Sequence, residues 1–193
     1  MSANTIISNT GFWESTGQLY HTCSIRLTNW IINYLKDQKE KLTYDFGCGN
    51  GQYLAKLRDA GFSNLVGFEG KIPVFKEFED IRQQDLSVPF KLPQTGNCIF
   101  LEVAEHVPAV YEDTLLTNIA NACDDKLIMS WAVRGQGGWG HVNCINNDEA
   151  IVKVANRGFE YLPEDTASVR DSLSAVDDCH WFKNTTLIFR KRS

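Results

Sequence analysis

Residues 44–57, YDFGCGNGQYLAKL, constrain the fold of this chain more than any other stretch. A short apolar run over 42–46 ends in three glycines at alternate positions, Gly47, Gly49 and Gly51. A helical pattern follows over 52–60, with Leu54 and Leu57 on its inner side. Such a run bounded by turn residues predicts a buried strand. The glycines predict a tight strand-to-helix turn whose backbone can come close to a ligand. Gly61 stands where a helix C-cap glycine belongs.

The alternation repeats. Before it, Leu27, Ile31, Tyr34 and Leu35 mark one face of a helix over 24–37. After it, the pattern predicts a strand at 64–68, a short Pro-interrupted helix at 72–80 and a weak strand at 81–84. A buried strand (CIFLEV, 98–103), a helix over 108–123 and a strand at 126–131 come next. A glycine-rich loop, RGQGGWGHVNCINN, leads to a helix from Asn147 that stops at Gly158, and strands at 159–162 and 185–190 close the chain. The expected fold is α/β: a Rossmann-like, doubly wound sheet of about seven mostly parallel strands, with helices on both faces. One domain spans 1–193, with 1–23 a cover segment and 24–193 the core. Ligands in such sheets bind beyond the carboxyl ends of the strands.

Composition narrows the partners. The net charge is −5 over 193 residues and no basic tract stands out, which argues against nucleic acid. Six cysteines and four histidines are dispersed without zinc spacing, so no metal is expected and the thiols read as reduced. The start, MSANTIISNTGFWES, lacks a signal-peptide layout, and no apolar run approaches the ~18–20 residues of a membrane span. A cytoplasmic protein, monomer or homodimer, is expected, with no membrane partner.

Three acids sharpen the glycine loop. Its spacing is GxGxG, not the GxGxxG of dinucleotide sites, and it lacks the Lys and Ser/Thr of a Walker A loop. Glu69 ends the second strand and suits a ribose diol; Asp85 ends the third and suits an adenine amino group. Asp45, before the glycines, suits a cationic amino group. Together they describe a nucleoside with a cationic tail.

DFGCGNG, the acid of GFEG, the Asp of QQDL and LEVAEHVP resemble the class I S-adenosylmethionine-dependent methyltransferases, over about 42–190. LEVAEHVP is similar to small-molecule members such as the quinone-pathway O-methyltransferases. The resemblance implies a helix before the first strand and an antiparallel last strand, which 24–37 and 185–190 can supply. It implies S-adenosyl-L-methionine as cofactor, S-adenosyl-L-homocysteine as product, and a small-molecule acceptor methylated on O, N or C. Asp45, Gly47, Cys48, Gly49 and Gly51 would form the loop around the methionine part. Glu69 would bind the ribose, Asp85 and Leu86 would flank adenine, and Glu102 and Val103 would sit beneath the methyl group. Tyr20 belongs to a segment that often folds over the cofactor. Gly70-Lys71 departs from the family, which often has an apolar residue there against adenine.

For proton transfer, His141 and His106 are the candidates, because both follow strands on the site face. Trp13, Arg134, Trp139, Arg170 and Trp181 are candidate acceptor-binding residues. The (D/N)PP(Y/F) box of nucleobase amino-methyltransferases and a Pro-Cys nucleophile are absent from the sequence. The other readings are an NAD-dependent oxidoreductase, a methyltransferase acting on RNA or protein, and a non-catalytic cofactor-binding domain.

Overall fold

A computed structural model describes residues 7–14, 22–174 and 179–192. In chain order the elements are α1 (Ile25–Tyr34), β1 (Thr43–Phe46), α2 (Gln52–Asp59), β2 (Leu65–Glu69), β3 (Ile81–Gln83) and β4 (Gly96–Phe100). They continue with α3 (Glu112–Ala122), β5 (Cys123–Ser130), α4 (Asn147–Ala155), β6 (Phe159–Tyr161), α5 (Pro163–Ser172), α6 (Phe182–Thr185) and β7 (Thr186–Lys191).

The strands form one sheet in the order β3-β2-β1-β4-β5-β7-β6. The pairs β3-β2, β2-β1, β1-β4 and β4-β5 are parallel, while β7 runs antiparallel to both neighbours, β5 and β6. The doubly wound sheet with an antiparallel last strand is therefore present, and that last strand is inserted one place from the edge.

Side-chain alternation explains how helices cover both faces, because successive strand residues point to opposite sides. Cys98 and Phe100 of β4, Leu127 and Met129 of β5, and Leu187 and Phe189 of β7 join Tyr44, Phe46 and Phe68 on one face. Leu115, Leu116 and Ile119 of α3 and Val154 of α4 complete that layer. Ile99, Ile128 and Ile188 point the other way, into Leu27 and Ile31 of α1, Leu54 and Leu57 of α2, and Val169 of α5.

Four local expectations change. Residues 72–80 are irregular, not helical. Pro73 disfavours helix in the residue before it and donates no hydrogen bond. The stretch is instead pinned by Glu77 N–H to the Asn50 carbonyl, 2.8 Å, and by buried Phe78. β4 stops at Phe100, not Val103, because Glu102 takes φ 53, a conformation no strand can contain. The helix expected over 108–123 opens with a 3-10 turn, Ala109–Tyr111, before α3. The connection over 163–184 carries α5 and α6, whose mostly polar sequences give little periodic signal.

Candidate active site

The carboxyl ends of β1, β2 and β4 and the segment after β3 surround a cavity of about 600 Å³. The turn after β1 follows from its glycines. Gly47 N–H and Cys48 N–H both donate to the Phe68 carbonyl of β2, at 2.8 and 3.1 Å, which folds the loop over the strand ends. That path requires φ 74 at Gly47, the left-handed region glycine enters freely. A Cβ there would also lie 2.3 Å from Val103 Cγ2.

Three carboxylates converge on the cavity. Glu69 is gripped as a fork: Oε2 accepts from Gly49 N–H and Oε1 from Gly70 N–H, both at 2.9 Å. Burial raises its pKa, and the two N–H donors oppose the rise. Asp85 accepts the Thr10 hydroxyl on Oδ2 and Ser87 N–H on Oδ1, both at 2.8 Å. Asp45 is the odd one. It is 3% exposed, its Oδ2 has no partner, and burial, assisted by the Glu69 charge, pushes its pKa up to about 8.

A carboxyl raised from 3.8 to about 8 holds its proton in the folded state where the unfolded chain has released it. Its contribution to stability is fully present below about pH 4 and lost as pH rises to about 8. Urea unfolding across that window is expected to show wild type losing more stability than Asp45→Asn, with a gap on the order of a few kcal/mol at most. Parallel pH profiles for the two proteins would contradict the assignment.

The N-terminal strip, residues 7–14, forms one wall. Its turn is closed by Ser8 N–H to the Phe12 carbonyl, 2.9 Å, and by a bridge between Ile7 and Trp13. Phe12 packs on Gly70, where a Cβ would lie 2.2 Å from Phe12 Cβ. An apolar side chain from a remote part of the chain thus stands beside Gly70-Lys71.

The opposite wall turns sharply after β4. Glu102 sits at positive φ, with its N–H on Ser130 Oγ at 2.8 Å and its carboxylate accepting from Gln136 and Thr185 at 2.8 and 3.3 Å. Such local strain is characteristic of functional sites. His106 follows, in edge-to-face contact with Trp13 (5.7 Å) and His141 (5.0 Å). Burial, with the neighbouring His141, lowers its pKa to about 4, so the imidazole is neutral at physiological pH. His141 is brought there by the loop after β5, whose Val142 and Asn143 N–H groups donate to the Glu105 carbonyl at 2.8 and 2.9 Å. Its ring lies where a Cβ on Gly138 would be, 2.1 Å from Nε2.

Most of the sequence-derived site residues share this one cavity. Asp45, Gly47, Cys48 and Gly49 line it from β1 and its loop, and Glu69, Asp85 and Leu86 from the next strand ends. Glu102, Val103 and His106 line the far wall, with Trp13 and Trp181 beside them. The Trp181 indole N–H is buried without a partner. Gly51 caps α2 against Phe78, behind the lining. His141 stands behind His106, off the cavity surface. Arg134 clamps the loop to α4 by pairing with both oxygens of Glu149, and Trp139 is 66% exposed. Arg170 donates Nε–H to the Thr186 carbonyl at 2.9 Å, inside the α5–β7 packing. Tyr20 lies outside the described residues. Sequence reasoning missed Thr10 and Phe12, which belong to no periodic pattern; the Glu105-His106 pair, read from the sequence as following the fourth strand on the site face, has its Glu105 member fully buried.

No family model matches the sequence. Solved structures do. The magnesium protoporphyrin IX methyltransferase ChlM of Synechocystis PCC 6803, with S-adenosylmethionine bound, superposes with TM-score 0.61 and 16% identity, covering 91% of this chain and 88% of that one. The 1,6-didemethyltoxoflavin-N1-methyltransferase of Burkholderia thailandensis gives 0.63 at 11% identity, over 88% and 78%. The [4+2]-cyclase SpnF gives 0.61 at 14%, over 95% and 86%. The fold is that of the class I S-adenosylmethionine-dependent methyltransferases.

Among curated proteins, the tRNA U34 carboxymethyltransferase of Helicobacter acinonychis (strain Sheeba) is 39% identical over 49 residues, 25% of this chain and 19% of the relative. That of Helicobacter pylori (strain G27) is 46% identical over 41 residues, 21% and 16%. The chain therefore spans less than a fifth of these relatives' length. Among the described residues, no helix is long and apolar enough to cross a membrane.

Proposed function

We propose that this chain is a methyltransferase that uses S-adenosylmethionine and acts on a small molecule. One observation carries the reading: three acids at the carboxyl ends of neighbouring parallel strands share a cavity, and the most buried, Asp45, has an oxygen with no partner. A buried carboxylate without a partner is unfavourable until a donor or cation satisfies it. An ammonium at the cavity's loop end does so, and the cofactor carries one. Glu69, already oriented by two backbone donors, has lone pairs left for a ribose diol. Asp85 and Leu86 suit the adenine edge, and Glu102 with Val103 the floor opposite the glycines.

When bound, the cofactor supplies an electrophilic methyl on a sulfonium. The protein's part is then largely positioning and exclusion of water. His106 presents a neutral imidazole at the acceptor side, His141 holds that ring from behind, and the free Trp181 N–H is a donor for an acceptor oxygen. All six cysteines are free thiols, which supports a reducing, cytoplasmic setting.

Titration calorimetry separates this from a dinucleotide enzyme. S-adenosylhomocysteine is expected to saturate one site per chain, and NAD none. Saturation by NAD alone would overturn the reading. The cyclase among the structural neighbours makes turnover a separate question, answered by labelled-methyl incorporation over a panel of small acceptors.

A second reading, methylation of an RNA, is favoured by the short matches to the tRNA carboxymethyltransferases. The net charge of −5 weighs against it. Label incorporated into total RNA but into none of the small acceptors would select it.

A further inference from the structure

Glu105 is completely buried beside the Glu102 carboxyl, and neither of its oxygens makes a hydrogen bond of full geometry. A buried carboxyl normally keeps its proton, pairs with a cation or ligates a metal. One ligand atom each from Glu105, His106 and His141 lies within 4.8 Å of the other two, with His141 Nε2 4.0 Å from Glu105 Oε1. The second nitrogen of each ring is already engaged. His106 Nδ1–H donates to the Gly140 carbonyl at 3.3 Å, and His141 Nδ1 is 3.6 Å from Cys144 Sγ. Nδ1 is thus engaged in both rings, and Nε2 is the His141 nitrogen that faces Glu105, with the Gln136 backbone also beside that ring. Contacts of this kind at the other nitrogen are how metal-ligating imidazoles are oriented.

The scaffold is firm. The Glu105 carbonyl receives two N–H donors from the His141 loop, and the buried Trp131 Nε1–H donates to the Asn143 carbonyl at 2.6 Å. We propose that Glu105, His106 and His141 bind one divalent transition-metal ion of the Mn²⁺-to-Zn²⁺ series at the wall of the cavity.

Two imidazoles with one carboxylate favour that series over Mg²⁺ and Ca²⁺, which prefer oxygen, and leave coordination positions open. Bonds of about 2.0–2.2 Å need the three groups to draw together by roughly an ångström, within the reach of side-chain rotation. His106 is the member that lines the cavity, so the open positions suit an oxygen of the acceptor. That use rests on the methyltransferase reading; the binding of the ion does not.

The test uses the full-length chain without a histidine tag, stripped with chelator and titrated with Co²⁺ by visible absorption and Mn²⁺ by electron paramagnetic resonance. One Co²⁺ per chain is expected, weakened at least about 100-fold in both Glu105→Gln and His141→Ala and not displaced by excess Mg²⁺. Thermal melts of the metal-free variants check that each is folded; if Glu105→Gln is not, His141→Ala alone decides. No Co²⁺ binding, undiminished binding in His141→Ala, or displacement by Mg²⁺ would overturn the site. S-adenosylhomocysteine titrated into the metal-free protein tests the cofactor separately. Co²⁺ bound without S-adenosylhomocysteine binding supports the site and overturns only the methyltransferase reading.

Discussion

Glu69→Ala is expected to weaken S-adenosylhomocysteine binding by at least about 100-fold, the loss of two hydrogen bonds to a charged acceptor at about 1.5–3 kcal/mol each. The carboxylate has two jobs in one place. It accepts Gly49 N–H and Gly70 N–H at 2.9 Å, holding the glycine loop against the end of β2. Its remaining lone pairs face the cavity. Removal therefore also strands two buried donors, which lowers unfolding stability by about 1–3 kcal/mol. Calorimetry and urea denaturation on the same variant read the two effects apart. Glu69→Gln keeps one acceptor oxygen and is expected to fall between wild type and alanine. An alanine variant that binds as tightly as wild type would remove Glu69 from the site.

Gly47→Ala is expected to lose both stability and binding. The added methyl would occupy a left-handed conformation, at about 1–2 kcal/mol, and overlap Val103 Cγ2 at 2.3 Å, at about 1–3 kcal/mol more. Relief requires Val103 to move, and Val103 lines the cavity floor. Gly137→Ala is the control, because a Cβ there meets nothing within 4 Å. It should stay within about 0.5 kcal/mol of wild type. If both glycine variants behave alike, the close approach at Gly47 has no energetic weight.

The parts of the fold legible in the sequence are those whose signal is local. The run 42–46, the alternate glycines and the helix after them lie in one window, and β1, its turn and α2 follow it closely. The acids at 45, 69 and 85 were readable because parallel strands end on the same side of a sheet. Residues 72–80 misled, because apolar residues at helical spacing there serve other ends: Phe78 turns inward, while Val74 and Phe75 stand 83% and 66% exposed. α5 was silent because only Thr166 and Val169 of its length are buried.

The site's walls were hidden for a different reason. Thr10 and Asp85 are 75 residues apart, and His106 meets the Gly140 carbonyl across 34. No periodicity encodes such meetings. Arg134 shows the reverse error: a cation in a loop on the site face, taken up by Glu149 of the next helix.

The packing of Phe12 on Gly70 has a bearing on how such a pocket can diverge. The sheet holds its acids where strand ends and backbone donors dictate, and few exchanges there would be tolerated. The ring beside them comes from an eight-residue strip with little secondary structure. A change at position 12 can reshape that end of the pocket without disturbing a single strand. In descendants of this chain, selectivity can drift along the strip while the sheet stays as it is.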